Sequence, residues 1–522
     1  MNLKNLVLCA VCVLACGSVV HAHGSDASPA AASVGQVSFA NSGAQAAQRD
    51  FLLGLAQLHN FEYRDAAAAF QRAQKADPSF AMAYWGEAMT YNHPLWAQQD
   101  LVAARAALLR LATTPEARQA KAKTEREKAY LAALEDLYGE GSKAERDLRY
   151  AAAMRALHER FPADIDATCF YALALMGTSH EGRHLPSYIN AAALMIEIFH
   201  AHPQHPGAAH YLIHAVDDPL HAPLGLSAAR AYSKIAPAAA HAQHMTSHIF
   251  IAMGMWEDVV RANETAMRIV DKARAELSRP PAGCGHTLTW LEYGYLQQGR
   301  LADARRVLAR CAEEARQRPF VSEGADLLDI DGSSAASFAS QRARYLIDSG
   351  DWNGEVASWT VDVAKVPVAE FMRDHVDALA ALRQRDRAVP AGLVERAERS
   401  AAKVITAIDE AGLPPKHPAR KVLQLHVDQL HGLQQLRDGK TEAALATLRQ
   451  AAADETALPY EFGPPTILKP GNELLGEVLL ELGRPADARQ AFDAALQLAP
   501  GRLQSLEGRK RSQASSSNQP AS

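Results

Sequence analysis

Two histidine pairs dominate the chemistry this chain can offer. In residues 207–219 (GAAHYLIHAVDDP) His210 and His214 stand four apart, and in residues 241–250 (HAQHMTSHIF) so do His244 and His248. The pairs are in step, because 244 − 210 = 34 and 248 − 214 = 34. Residues three or four apart share one face of a helix, so each pair sets two imidazoles side by side. His241 extends the second pair, and Asp217 continues the line of His214 at i+3. His286 lies thirteen residues before Gly299 as His241 lies thirteen before Gly254, which gives it the matching place one unit later.

Neutral imidazole and carboxylate suit Zn(II), Cu(II), Fe(II) or Mn(II), and the lack of cysteine in the set argues against a closed structural zinc site. The candidate metal ligands are therefore His210, His214, Asp217, His241, His244, His248 and His286. One ion taking four imidazoles from the two pairs and a dinuclear centre completed by Asp217, His241 or His286 are both open. If the site is catalytic, a metal-bound water of lowered pKa can act as nucleophile with Asp217, Asp218 or Glu181 as base, or a redox metal can activate oxygen. A duplication that copied histidines for packing would produce the same periodicity without a ligand.

Other signals are weaker. His180-Glu181-Gly182-Arg183-His184 matches HExxH, but that chemistry needs a helix, and Gly182 with Pro186 close behind disfavours one. His59 and His93 are also 34 apart, and are expected on the rim of the inner surface beside Asn60, Tyr91 and Asn92. His202, His205, His375, His417, His426 and His431 read as structural. No Gly-rich phosphate loop, nucleophile elbow or CxxCH haem site occurs.

The elements that must position these residues are amphipathic helices from Arg49 onward. Residues 51–78 place Gly54, Tyr63, Ala66, Phe70, Ala73 and Pro78 so that small residues let two helices approach, large ones fill the gap, and Pro ends the second helix. The pattern Gly-x-large-x-x-small recurs at 254–267, 299–314, 350–357, 439–453 and 483–500. With the 34-residue step, it resembles a tetratricopeptide-repeat protein. The segments LHNFEY, AMAYWGEAM, HYLIHAVDDPLHAPLG and HMTSHIF further resemble a group of exported bacterial tetratricopeptide proteins for which no activity is secure. The resemblance implies an all-α, right-handed superhelical solenoid over 43–503, with the histidine segment 207–290 on its concave face and residues such as Ser247 and Phe250 packing behind it. Residues 101–161 are expected to continue as divergent helical hairpins, and 318–334 and 459–471 to be longer loops.

The ends and the composition bound the rest. Residues 1–22, with Lys4, an apolar run and Val20-His21-Ala22, read as a secretory signal, and a lipid anchor at Cys16 is the weaker alternative. Residues 23–42 are expected to be a flexible leader and 504–522 a disordered tail. Past the signal no apolar stretch approaches the ~18 residues of a membrane span. A net charge of −5 gives no support for nucleic-acid binding. Cys169, Cys284 and Cys311 follow the signal; in an oxidising compartment Cys284 with Cys311 is the plausible disulfide, and two buried thiols are an equal alternative. The expectation is a periplasmic or secreted solenoid holding a transition metal. The alternative is a scaffold whose groove takes a peptide or an envelope protein without metal.

Overall fold

Residues 33–318, 332–384, 386–413 and 415–517 are described by a computed structural model. The signal-like segment, leader residues 23–32 and nearly all of the 318–334 loop lie outside the described residues. Within them the chain forms twenty-three α-helices and one two-stranded ribbon, Asn92–His93 with Gln98–Gln99. It is an all-α solenoid of tetratricopeptide-type hairpins, and no helix among the described residues is long and apolar enough to cross a membrane.

The first hairpin shows why the sequence folds this way. Helix Gln45–His59 packs on helix Tyr63–Ala76, and a Cβ on Gly54 would lie 3.0 Å from the Phe70 ring. A Cβ on Gly86, in helix Ala81–Met89, would lie 2.3 Å from the same ring. Two glycines on flanking helices thus open the space that one buried phenylalanine fills. Units end as the repeat pattern requires: Gly254, after helix Ala240–Ala252, takes φ +68°, the left-handed cap that favours glycine. Residues 101–161 are helical as expected, with capping boxes at Thr124/Glu127 and Ser142/Glu145 starting helices Glu125–Leu137 and Lys143–Arg160.

The solenoid closes on itself, and this was not anticipated. Asn60, just past the first helix, accepts from Tyr232 Oη at 2.7 Å, and Glu62 accepts from the backbone N–H of His241 at 3.2 Å. From the other end, Gly501 C=O accepts from Trp256 Nε1 at 2.8 Å, and a Cβ on Gly254 would stand 2.4 Å from the Pro500 carbonyl. First and last units therefore both pack on the middle of the chain. Every residue of helices Pro206–Val216 and Ala240–Ala252 is buried. The concave face that would have been an open groove is an interior.

Two terminal segments depart from expectation. Residues 33–42 are not a loose leader: Val34 and Phe39 are buried, Phe39 packs against Trp85 and Tyr130, and the Arg126 guanidinium lies 3.9 Å over its ring. Two anchors in a segment without regular structure leave no helical periodicity to read. Residues 504–517, expected to be disordered, belong to helix Leu503–Ser517. Its lead residue Arg502 is fully buried, donating to Glu473 Oε2 at 2.8 Å, Tyr293 Oη at 2.9 Å and Asp348 Oδ1 at 2.5 Å. A polar tail sequence hides this anchor because its partners lie 29 to 209 residues away. Arg502→Ala leaves Asp348 as an uncompensated buried charge, while Glu473 keeps the Lys469 ammonium at 2.9 Å, so it should lower unfolding free energy by about 3–5 kcal/mol in urea titration. An unchanged denaturation midpoint would show that the C-terminal helix is not held in this way.

Candidate metal centre

The three central helices deliver all of the anticipated side chains to one place. His210 and His214 project from helix Pro206–Val216, His241, His244 and His248 from helix Ala240–Ala252, and His286 opens helix His286–Gln297. Ring centroids step across the ladder: His210–His214 5.0 Å, His210–His241 5.1 Å, His214–His248 5.1 Å, His244–His248 5.3 Å and His244–His286 4.8 Å. One ring nitrogen from each of His210, His214 and His241 lies within 4.8 Å of the other two, and the same holds for His244, His248 and His286. Asp217 groups with His214 and His248 between these triplets. The expected open, solvent-accessible ladder is instead buried, with His286 alone partly exposed.

A buried imidazole needs both nitrogens answered, so the outer partners define the tautomers. His210 Nδ1–H donates to the His59 carbonyl at 2.6 Å. His244 Nδ1–H donates to Asn263 Oδ1 at 2.7 Å, and the Asn263 amide is itself oriented by donating Nδ2–H to the Val259 carbonyl at 2.8 Å. His248 Nδ1–H donates to Asp217 Oδ2 at 2.9 Å, and His214 Nδ1 stands 3.5 Å from the same oxygen. Four rings thus have Nδ1 turned to an acceptor, which leaves the lone pair on Nε2. His214 Nε2 is buried without a hydrogen-bond partner, and His210 Nε2 and His241 Nε2 face each other at 3.3 Å.

Asp217 is held by more than histidine. Arg183 Nη1 donates to its Oδ1 at 2.5 Å, and Arg183 Nη2 reaches Asp218 Oδ2 at 3.4 Å. Burial alone would raise the Asp217 carboxyl, but Arg183 and the two imidazoles outweigh it and keep the group far below the ordinary carboxylate range. The imidazoles shift the other way. Burial pushes His248 down to about 4 against the opposing pull of Asp217, lowers His214, and with the neighbouring His214 drives His210 well below its usual value. All three are neutral at pH 7, the form that binds a metal.

Aromatic rings wall the cluster. Phe61 packs on His210 at 4.3 Å, Trp290 stacks on His248 at 4.5 Å, and Phe462 lies 4.8 Å from His248 on its other flank. Phe61 adopts φ +57°, strained for a side chain of this size, where the first hairpin turns in toward the centre. Phe462 belongs to the 459–470 segment, a loop as expected, whose Gly463 lies so close that a Cβ would stand 2.6 Å from Trp290.

A neighbouring histidine group makes an instructive contrast. His59 Nε2–H and His205 Nε2–H both donate to Asp166 Oδ1, at 2.9 and 3.3 Å. His59 Nδ1 accepts from Tyr211 Oη at 3.0 Å, and His205 Nδ1 from the Ala208 N–H at 3.3 Å. Every ring nitrogen here has a protein partner, so this group is a closed hydrogen-bonded knot, although its atoms are close enough to chelate. Only the backbone carbonyl of His59 reaches the ladder. His93 stacks on Tyr63 at 4.0 Å and joins neither group.

The HExxH match is not a helix. Residues 178–184 form a turn with Gly182 at φ +96°, His180 pairs with Asp147 at 3.0 Å, and Glu181 and His184 are exposed. The useful residue inside that motif is Arg183, which sequence reasoning passed over. Its signal was available: it precedes Asp217 by 34 residues. Asn263, Trp290 and Phe462 were also missed, and for Phe462 nothing in a Pro- and Gly-rich loop marks its destination.

No family model and no curated protein matches the chain. Among solved structures, a human IFIT1 dimer with m7Gppp-AAAA is 12% identical, with 92% of each chain covered and a TM-score of 0.36. Yeast Tom70 is 11% identical, covering 90% of this chain and 89% of its own, at 0.29. The Cut9–Hcn1 hetero-tetramer of APC/C is 13% identical, covering 93% and 78%, at 0.33. Likenesses this loose carry no argument about function.

The lowered histidines predict an acid sensitivity. In the unfolded chain an imidazole titrates near 6.5, so as pH falls below that value the unfolded state gains protons that His59 and His248 refuse until about 4. Stability of the metal-free protein should decline from pH 6.5 to about 4 by roughly 3 kcal/mol for each such group, then level off for both. Urea unfolding of wild type and His248→Gln at pH 7 and pH 4.5 checks this. The variant should lose less, and an equal loss in both would contradict the assigned neutral state.

Proposed function

We propose that the protein is an exported solenoid that binds a transition metal through the Nε2 atoms of its central histidines. The carrying observation is the polarity of the rings: outer nitrogens anchored to a carbonyl, an amide and a carboxylate, inner nitrogens convergent, and His214 Nε2 buried without a partner. A buried polar atom left unanswered costs about 1–3 kcal/mol, and a cation answers several lone pairs at once. Carboxylate or carbonyl partners on the far nitrogen are the usual support of metal-binding imidazoles, because they fix the tautomer and raise basicity. Asp217 then serves as that support for His214 and His248, since both its oxygens are already engaged.

An all-imidazole donor set suits copper and zinc above manganese. Export is supported by the signal-like start and by the Cys284–Cys311 disulfide, which ties the approach to His286 onto helix Leu301–Gln317. The alternative of a peptide held at the histidines is disfavoured by the filled concave face there.

Mature protein purified without a histidine tag should carry, after metal repletion, at least one equivalent of a first-row metal by elemental analysis. His244→Ala and His248→Ala should lose it while keeping helical circular dichroism, and Asp217→Asn should bind about 10–100-fold more weakly. Trace metal alone in repleted wild type would overturn the reading, and full retention in both alanine variants would overturn the choice of ligands.

A further inference from the structure

The six imidazoles do not converge on one point. They divide into His210, His214 and His241 on one side and His244, His248 and His286 on the other, each triplet drawing two ligands from one helix and one from the next. A single ion held by both HxxxH pairs would need His210, His214, His244 and His248 to face a common centre, and that foursome is not brought together. The triplets adjoin instead through His214 and His248, whose rings stand 5.1 Å apart and whose Nδ1 atoms share Asp217 Oδ2. On this basis, and resting on the metal-binding reading above, we propose that the centre holds two copper ions, one per triplet, as a coupled pair.

Paired metal ions in proteins sit about 3.5–4 Å apart, and the two triplets adjoin at His214 and His248, whose ring centroids lie 5.1 Å apart. Three imidazoles for each ion leave a coordination position open toward the other, where a small bridging anion fits.

Charge selects the metal. Among the described residues the one carboxylate that groups with the ladder is Asp217, and its charge is already balanced by Arg183. Two divalent ions would place four positive charges in this interior, and uncompensated buried charge costs several kcal/mol per ion. Two Cu(I) ions bring half of that charge to neutral nitrogen ligands, and imidazole is among the donors that suit copper. On one-electron oxidation of each ion by an added oxidant, a water entering between them can lose a proton to solvent and remain as bridging hydroxide, which offsets part of the added charge. His286, the partly exposed member, marks the side from which ions and water arrive. Asp217, orienting one ligand of each triplet, couples the two positions.

The test uses the full mature chain, untagged, loaded with Cu(I) without oxygen and freed of excess metal. Two coppers per chain are expected. After oxidation with hexacyanoferrate(III), the Cu(II) electron paramagnetic resonance signal should be largely missing, because bridged Cu(II) spins cancel. His210→Ala and His286→Ala lie in different triplets, so each should retain one copper and show the full signal of one isolated spin. If one variant misfolds by circular dichroism, the other still decides the question. One copper in wild type would overturn the pair and leave the metal-binding reading standing. Two coppers with full signal intensity would overturn the coupling, and displacement of copper by equimolar zinc would overturn the choice of metal. No bound metal of either kind would overturn both the pair and the reading beneath it.

Discussion

A buried imidazole is stabilised when both of its ring nitrogens have partners, and this preference governs the centre of the molecule. His210, His244 and His248 each satisfy the outer nitrogen with a fixed acceptor. Those acceptors are themselves immobilised: the His59 carbonyl ends the first helix, the Asn263 amide is bonded to Val259, and Asp217 is clamped by Arg183. The inner nitrogens are thereby turned toward one another. Neutral nitrogens facing each other in a dry interior are costly unless a proton or a cation lies between them. The neighbouring His59–Asp166–His205 knot has similar residues with every ring nitrogen partnered, whereas His214 Nε2 in the ladder has no partner.

The global fold serves this arrangement by closing. A tetratricopeptide solenoid ordinarily leaves its inner helices facing solvent, yet here the first hairpin brings Phe61 onto His210 and the 459–470 segment brings Phe462 onto His248. Arg502 pins the last helix through Tyr293, one turn beyond Trp290 on the helix that starts with His286. Residues near both ends of the chain therefore contribute to the low-dielectric wall, which strengthens every electrostatic interaction within it and lowers the histidines. The disulfide at Cys284 ties down the approach to His286, the one histidine of the ladder that is partly exposed.

The parts of this that a reader of the sequence could extract are those with a fixed period. The 34-residue step placed His210, His214, His244 and His248 correctly on adjacent helices, the turn glycines located His286, and Asp217 followed from the helical face. The small residue Gly54 betrayed the first hairpin because Phe70 needs the space beside it. Contacts without a period stayed hidden. Phe39 anchors the leader from a segment without regular structure, Arg502 reaches partners scattered over three helices, and Phe462 sits in a loop whose composition says only that it is not helical. Closure of the superhelix was illegible for the same reason: it depends on the sum of small rotations between units, which no local pattern encodes. The Arg183–Asp217 pair shows that the period had more to give, since the same step of 34 residues links them.

The central claim is that ring nitrogens, and not the carboxylate, hold the metal. X-ray absorption at the metal edge of the repleted protein tests it most directly. The first shell should be dominated by nitrogen at about 2.0–2.1 Å with the outer-shell scattering of imidazole, three rings per ion. A first shell of mostly oxygen without imidazole scattering, or one containing sulfur, would contradict it.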